Sequence, residues 1–139
     1  ITEIPVYVAA GALFPVELNE SLEFGRSMTT SRARALVLTQ PVCATAGSWN
    51  GSDTEENDYA FTVGQNGFSV QAKGCAGVRY LLVKGVASVQ DVVLNGVRLR
   101  CVPAKQGLNL HEAYFVAQDG TLYIRLFAHS DLQLDVVTR

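Results

Sequence analysis

Apolar and polar positions alternate with a period of two along much of this chain. Leu132, Leu134 and Val136 alternate with Gln133 and Asp135 near the end, and Val6 and Val8 flank Tyr7 near the start. Such a rhythm puts one face of an extended segment in a core and the other in water, as in a half-buried antiparallel strand. Other short strand-like segments are Ala35 to Thr39, Tyr59 to Val63, Phe68 to Ala72, Arg79 to Val83, Val89 to Leu94, Val97 to Val102, Tyr114 to Val116 and Leu122 to Phe127. Helical periodicity is nearly absent. Turn signals separate the segments. Asn66-Gly67 suits a type I′ hairpin with positive φ at both turn centres, and Asn95-Gly96 is the strongest hairpin signal. Gln118-Asp119-Gly120 marks another hairpin, while Lys73 to Gly77 and Lys84-Gly85 mark further turns. Asn19 to Arg32 and Ala44 to Asn57 carry no apolar rhythm and read as a long connection and a loop.

Hairpins are not stable alone and stack into at least two sheets. The expected fold class is therefore all-β, a hairpin-rich antiparallel β-sandwich, either single or built of two small packed β modules. The expected division is a partial proximal module at 1–56 and a distal sandwich module at 57–139.

The 139 residues, 48% of them hydrophobic, suffice for such a core. They are too few for a (β/α)₈ barrel, which needs about 250 residues. A net charge of −2 argues against a nucleic-acid partner. The pairs Arg32/Arg34 and Arg98/Arg100 read as solvated strand faces. No apolar run reaches the roughly 18–20 residues of a membrane-spanning helix, and no signal-peptide pattern is visible.

Cys43, Cys75 and Cys101 lie far apart with no Cys-x-x-Cys spacing, so neither a metal site nor a cofactor is expected. Buried thiols, or one disulfide with a thiol left over, both fit, and the pairing stays open. Asn19-Glu20-Ser21 and Asn50-Gly51-Ser52 are sequons in turn-like stretches. They make Asn19 and Asn50 candidate glycosylation sites and tilt the expected compartment to the secretory pathway, lysosomal/ER or extracellular.

No constellation here makes a catalytic site. The acidic cluster Asp53, Glu55, Glu56 and Asp58 lacks the spacing of a calcium loop. His111 is isolated in sequence. His129, Ser130 and Asp131 are chain neighbours, which point in different directions rather than assembling a triad. Cys101 carries no nucleophile signature. Trp49, the only tryptophan, could stack on a sugar ring, and Trp49 with Tyr59 is the candidate carbohydrate-binding pair.

Residues 4 to 15 read IPVYVAAGALFP, an apolar strand, a small-residue turn and a second apolar stretch ending in Pro15. The chain starts there without a preparatory turn, as a piece of something longer would. Further on come Leu36-Val37-Leu38-Thr39-Gln40-Pro41, then Gly47-Ser48-Trp49 in a strand position, then Tyr59 and a hairpin. Val83-Lys84-Gly85, the run from Val89 to Gly96, and Leu122-Tyr123-Ile124 complete the order. This ordered set resembles the C-terminal β-sandwich region of glycoside hydrolase family 31 α-glucosidases across nearly the whole chain. Ala9 stands where that family usually has Arg, and its Asp-Asp-Gly triplet is replaced by Asp53-Thr54-Glu55-Glu56.

The resemblance implies a non-catalytic C-terminal β region, as a fragment or processed subunit, of an α-glucosidase. The parent would release α-linked glucose by a retaining mechanism, with both catalytic aspartates on a barrel outside this chain. Its partner would be that catalytic barrel, docked through Val6, Val8, Leu13 and Phe14. The alternative is a free-standing carbohydrate-binding β-sandwich with an oligosaccharide partner. A structural or adhesive β domain is the remaining reading.

Overall fold

The structure, a computed structural model, describes residues 11–18, 33–39, 46–52, 56–74, 78–86, 88–109, 111–127, 129 and 131–138. In chain order the strands are β1 (Leu13–Leu18), β2 (Ala33–Thr39), β3 (Ala46–Ser52), β4 (Glu56–Gly64), β5 (Gly67–Lys73) and β6 (Tyr80–Lys84). They continue with β7 (Val89–Leu94), β8 (Val97–Arg98), β9 (Arg100–Cys101), β10 (Ala113–Val116), β11 (Leu122–Arg125) and β12 (Asp131–Thr138). A 3₁₀ segment, Lys105–Asn109, lies between β9 and β10. The described strands form two six-stranded sheets. The first has the order β1-β2-β6-β11-β10-β9 and the second β3-β4-β5-β12-β7-β8.

Side chains of both sheets meet in one core. Leu36, Leu38, Leu81, Val83, Leu122 and Ile124 come from the first sheet, and Phe61, Phe68, Val70, Val92, Leu134 and Val136 from the second. The all-β sandwich expected from the alternation is what forms. The first sheet also buries its other face. Ala35, Val37, Tyr80, Leu82, Ala113 and Tyr123 form a second cluster there with Val102 and Leu108. Leu108 comes from the 3₁₀ segment, an element the sequence patterns did not announce.

This double burial accounts for two continuous apolar runs. Ala35 to Leu38 and Tyr80 to Val83 are buried at every position. These two strands, β2 and β6, pair in parallel, with Leu36 opposite Leu81 and Leu38 opposite Val83. Parallel strands are characteristically covered on both faces and read as unbroken apolar runs. The β9–β10 pair is also parallel, so the sandwich is mostly rather than wholly antiparallel. Pro15 sits on the edge strand β1, where a missing N–H disturbs no inner ladder.

The Asn95-Gly96 turn forms as expected, with φ of 49° and 83° at its centres. The strand that follows it does not stay in one sheet. Val97 and Arg98 pair with β7, whereas Arg100 and Cys101 pair with β10 in the opposite sheet. Leu99 makes the crossing. Its N–H donates to the Val92 carbonyl at 2.8 Å, and its side chain is buried in the shared core. A strand that switches sheets closes the corner of a sandwich.

Two expectations, the loop at 44–57 and the turn at Asn66-Gly67, are corrected. Ala44 to Asn57 is not a loop: residues 46–52 form β3, paired with β4 from Ala46–Thr62 to Ser52–Glu56. An edge strand held by its neighbour's backbone needs no apolar rhythm of its own; the family resemblance had put a strand at Gly47-Ser48-Trp49. Strand pairs and core contacts among the described residues cross the position of the expected 1–56/57–139 division. The boundary lies after the first residue of β4, which pairs with β3; β2 pairs with β6, and Leu13, Leu36 and Leu38 share one core with the later strands.

The Asn66-Gly67 hairpin turns instead on Gln65 and Asn66, neither with positive φ, between the paired Gly64 and Gly67. Gly67 is needed for space: a Cβ there would collide with the Val136 carbonyl oxygen of β12.

Candidate functional site

The second sheet turns its outer face to solvent. On β12 the even residues Leu132, Leu134 and Val136 are buried, while Asp131 and Gln133 are exposed. Register then aligns the outward residues of three adjacent strands. Asp58, Lys73 and Asp131 form one row across β4, β5 and β12; Ala60, Gln71 and Gln133 form the next. At ordinary sheet spacings this patch measures about 10 Å by 7 Å. It floors an open pocket of ≈ 570 Å³.

The Asn95 turn makes the rim, and its side chain is fixed. Asn95 N–H donates to the Gln133 carbonyl at 2.8 Å, and Asn95 Oδ1 accepts from Gln133 N–H at 2.7 Å. Asn95 Nδ2 reaches the Asp131 carbonyl and His129 Nδ1, both at 3.4 Å. His129 Nε2 in turn lies 2.6 Å from Glu112 Oε2, which also accepts the Phe127 N–H at 2.8 Å. The side chain of Asn95 thus extends the β7–β12 ladder past the end of β7 and ties the rim to the β11–β12 connection.

A neighbouring row, Thr62, Ser69 and Asp135, supports the floor. Ser69 Oγ donates to Asp135 Oδ1 at 2.7 Å, and Gln133 Nε2 donates to the same oxygen at 3.3 Å. These bonds do not use Gln133 Oε1, an acceptor on a residue that lines the pocket.

The residues singled out from sequence fall elsewhere. Tyr59 is 1% exposed in the shared core, so its ring is not an exposed platform. Trp49 lies on β3 opposite Tyr59, and Asn50 opposite Asp58; Asn50 is therefore in a paired strand rather than a turn. Leu13 is buried in the core and unavailable for docking, and Phe14 pairs with Val37 along β1. Val6, Val8, Asn19, Cys43 and Cys75 lie outside the described residues. Cys101 is a free, exposed thiol beside Tyr114, whose phenol is pushed above its usual pKa by burial and then by that thiol. Among the described residues no His, Cys, Asp or Glu cluster could hold a metal ion.

Sequence reasoning passed over Gln71, Lys73, Asn95, Asp131 and Gln133. Each is an ordinary polar residue of a strand or turn. Only the register between strands brings them together.

No known family profile matches the chain, and no curated protein matches it. Solved structures do. An uncharacterized protein of Listeria monocytogenes superposes with a TM-score of 0.76 at 15% identity, covering 93% of this chain and 13% of that one. A glycoside hydrolase family 31 dextranase of Flavobacterium johnsoniae, in complex with glucose, superposes with a TM-score of 0.66 at 10% identity. A mutant of that dextranase complexed with isomaltotriose gives 0.68. Both dextranase structures cover 95% of this chain, which spans only 19% of theirs. At such identities the likeness is one of fold, shared with a small part of much longer proteins.

Proposed function

We propose that this chain is a non-catalytic β domain of a larger α-glucosidase related to glycoside hydrolase family 31, where it braces the catalytic barrel. The observation that carries this reading is the near-complete overlap of its fold with a 19% portion of a family 31 dextranase. The ordered sequence motifs support the same family, and they are the ground for placing the domain on the C-terminal side and for hydrolysis of α-linked glucose. The two sequons fit a parent of the secretory pathway.

One end of the first sheet suits contact with the barrel. The Arg125 guanidinium lies over Tyr80 at 4.7 Å and near Phe127 at 5.6 Å from the ring centroids. Phe127 is 42% exposed. Among the described residues, Arg125 Nε is buried with no hydrogen-bond partner. Buried donors are almost always satisfied, so an acceptor carried by the catalytic domain fits this place. It replaces the docking surface assigned to Leu13.

The test is the native mass of the protein from its source, with an α-glucoside assay on whatever carries it. The expected result is an assembly or polypeptide of barrel-bearing size that hydrolyses α-glucosides and is loosened by Arg125→Ala. A lone 15.0 kDa species would overturn the reading.

A second reading, a free-standing carbohydrate-binding domain, is favoured by the polar pocket on the second sheet. Unchanged sugar affinity in Trp49→Ala would remove Trp49 from it.

A further inference from the structure

We infer that the outer-face pocket of the second sheet is a binding subsite for a neutral oligosaccharide, held by Gln71, Lys73, Asp131 and Gln133 against the rim at Asn95. The choice of a glucan among neutral sugars rests on the glycoside hydrolase reading above; the pocket itself does not.

The chemistry of the lining selects the ligand class. Lys73 offers only donors, the Asp131 carboxylate only acceptors, and Gln71 both. None of these three side chains makes a hydrogen bond or ion pair among the described residues, and all three are exposed. Gln133 adds its Oε1 acceptor and one amide N–H, the other being engaged by Asp135. An anion site would gather donors and a cation site acceptors. Here the two kinds alternate from strand to strand, as vicinal hydroxyls require, because each hydroxyl donates once and accepts twice.

Shape points the same way. Ala60, opposite Gln71, leaves the floor low where a long side chain would fill it. The patch of about 10 Å by 7 Å matches about one or two hexose rings. The rim needs little ordering on binding, because Asn95 is already fixed through Gln133 and Asp131. Preorganised polar groups lose less on binding than mobile ones. Tyr59 is the one described aromatic residue that lines the pocket, and its ring is buried in the core, so affinity rests on hydrogen bonds and is modest.

The experiment is an NMR titration of the chain with isomaltotriose, repeated with maltotriose and with inorganic phosphate as an anion probe. The expected result is saturable shifts confined to β4, β5, β12 and the Asn95 turn, with a dissociation constant on the order of 1 mM for a trisaccharide. Phosphate should give none. Gln71→Ala and Lys73→Ala should each weaken binding roughly fivefold, the effect of one hydrogen bond. Their exposed positions leave the fold, and hence the rest of the spectrum, unchanged.

Shifts with phosphate alone, shifts mapping elsewhere, or none with either sugar would overturn the inference. Absent sugar binding in a domain that still travels with an active α-glucosidase would sink the subsite and leave the bracing role standing. Sugar binding by a chain found alone at its source would sustain the subsite and sink the bracing role.

Discussion

The two sheets of this sandwich have the same number of strands and different surroundings. The first is covered on both faces, so β2 and β6 are apolar at consecutive positions and tolerate parallel pairing. The second is covered on one face, so β5 and β12 alternate and its outer residues are polar. The difference separates tasks. A sheet buried twice is held by packing and supplies rigidity. A sheet buried once has a surface on which residue identity is free of the core, and that is where the pocket lies.

The largest expected effect comes from placing one charge on each outer face. Leu82 is 0% exposed on the outer side of the first sheet. Leu82→Lys should leave no cooperative unfolding transition, because an unpaired buried charge outweighs the whole stability of a domain this size. Leu82→Ala should lose about 2–5 kcal/mol in urea denaturation. Gln71→Lys, on the outer side of the second sheet, should change stability by less than about 0.5 kcal/mol. Equal losses at the two sites would erase the distinction between the sheets.

Next comes the place where the second sheet is itself tightly built. Gly67→Ala drives a methyl into the Val136 carbonyl and should destabilise by about 2 kcal/mol or more. Gly96→Ala meets nothing within 4 Å and keeps only the penalty of positive φ, about 1 kcal/mol. Thermal melts of the two variants separate a close approach from a turn preference.

Smaller again is the tie between the rim and the β11–β12 connection. Glu112→Ala removes the acceptor of both His129 and the Phe127 N–H, and about 1–2 kcal/mol should be lost. Resonances of Asn95 should shift in that variant, while those of Leu36 and Leu81 should not.

The smallest effect is electrostatic and belongs to the first sheet. The Asp119 carboxylate accepts from Thr121, by side chain first and also by its backbone N–H at 3.0 Å, and its pKa is lowered. A lowered folded-state pKa adds stability above the unfolded value of about 3.9, lost as pH falls through the folded value. Asp119→Asn should therefore be slightly less stable than wild type at pH 7 and level with it in strong acid, by urea denaturation at both.

What the sequence made legible follows the same division. Strands of the second sheet announce themselves by alternation, as Leu132, Leu134 and Val136 do, and the Asn95-Gly96 turn by its residue types. The first sheet gave apolar runs at the right places, but neither their parallel pairing nor the second covered face. Pairing is a non-local choice, made by which neighbours bury Val37 and Leu82. The apolar rhythm hid β3, which only the family resemblance marked, because an edge strand can take its order from its partner. Leu99 was hidden because nothing local tells a strand to change sheets. The pocket was the least legible, since Lys73 and Asp131 are 58 positions apart in the chain and meet only through register.

The most direct test of the unequal sheets is methyl NMR of the whole chain in a soluble paramagnetic chelate. Methyls of Val37 and Leu82, on the outer side of the first sheet, should stay sharp; those of Ala60 and Val137, on the outer side of the second, should broaden. Broadening of Leu82 to the level of Val137 would show the first sheet open to solvent and contradict the account.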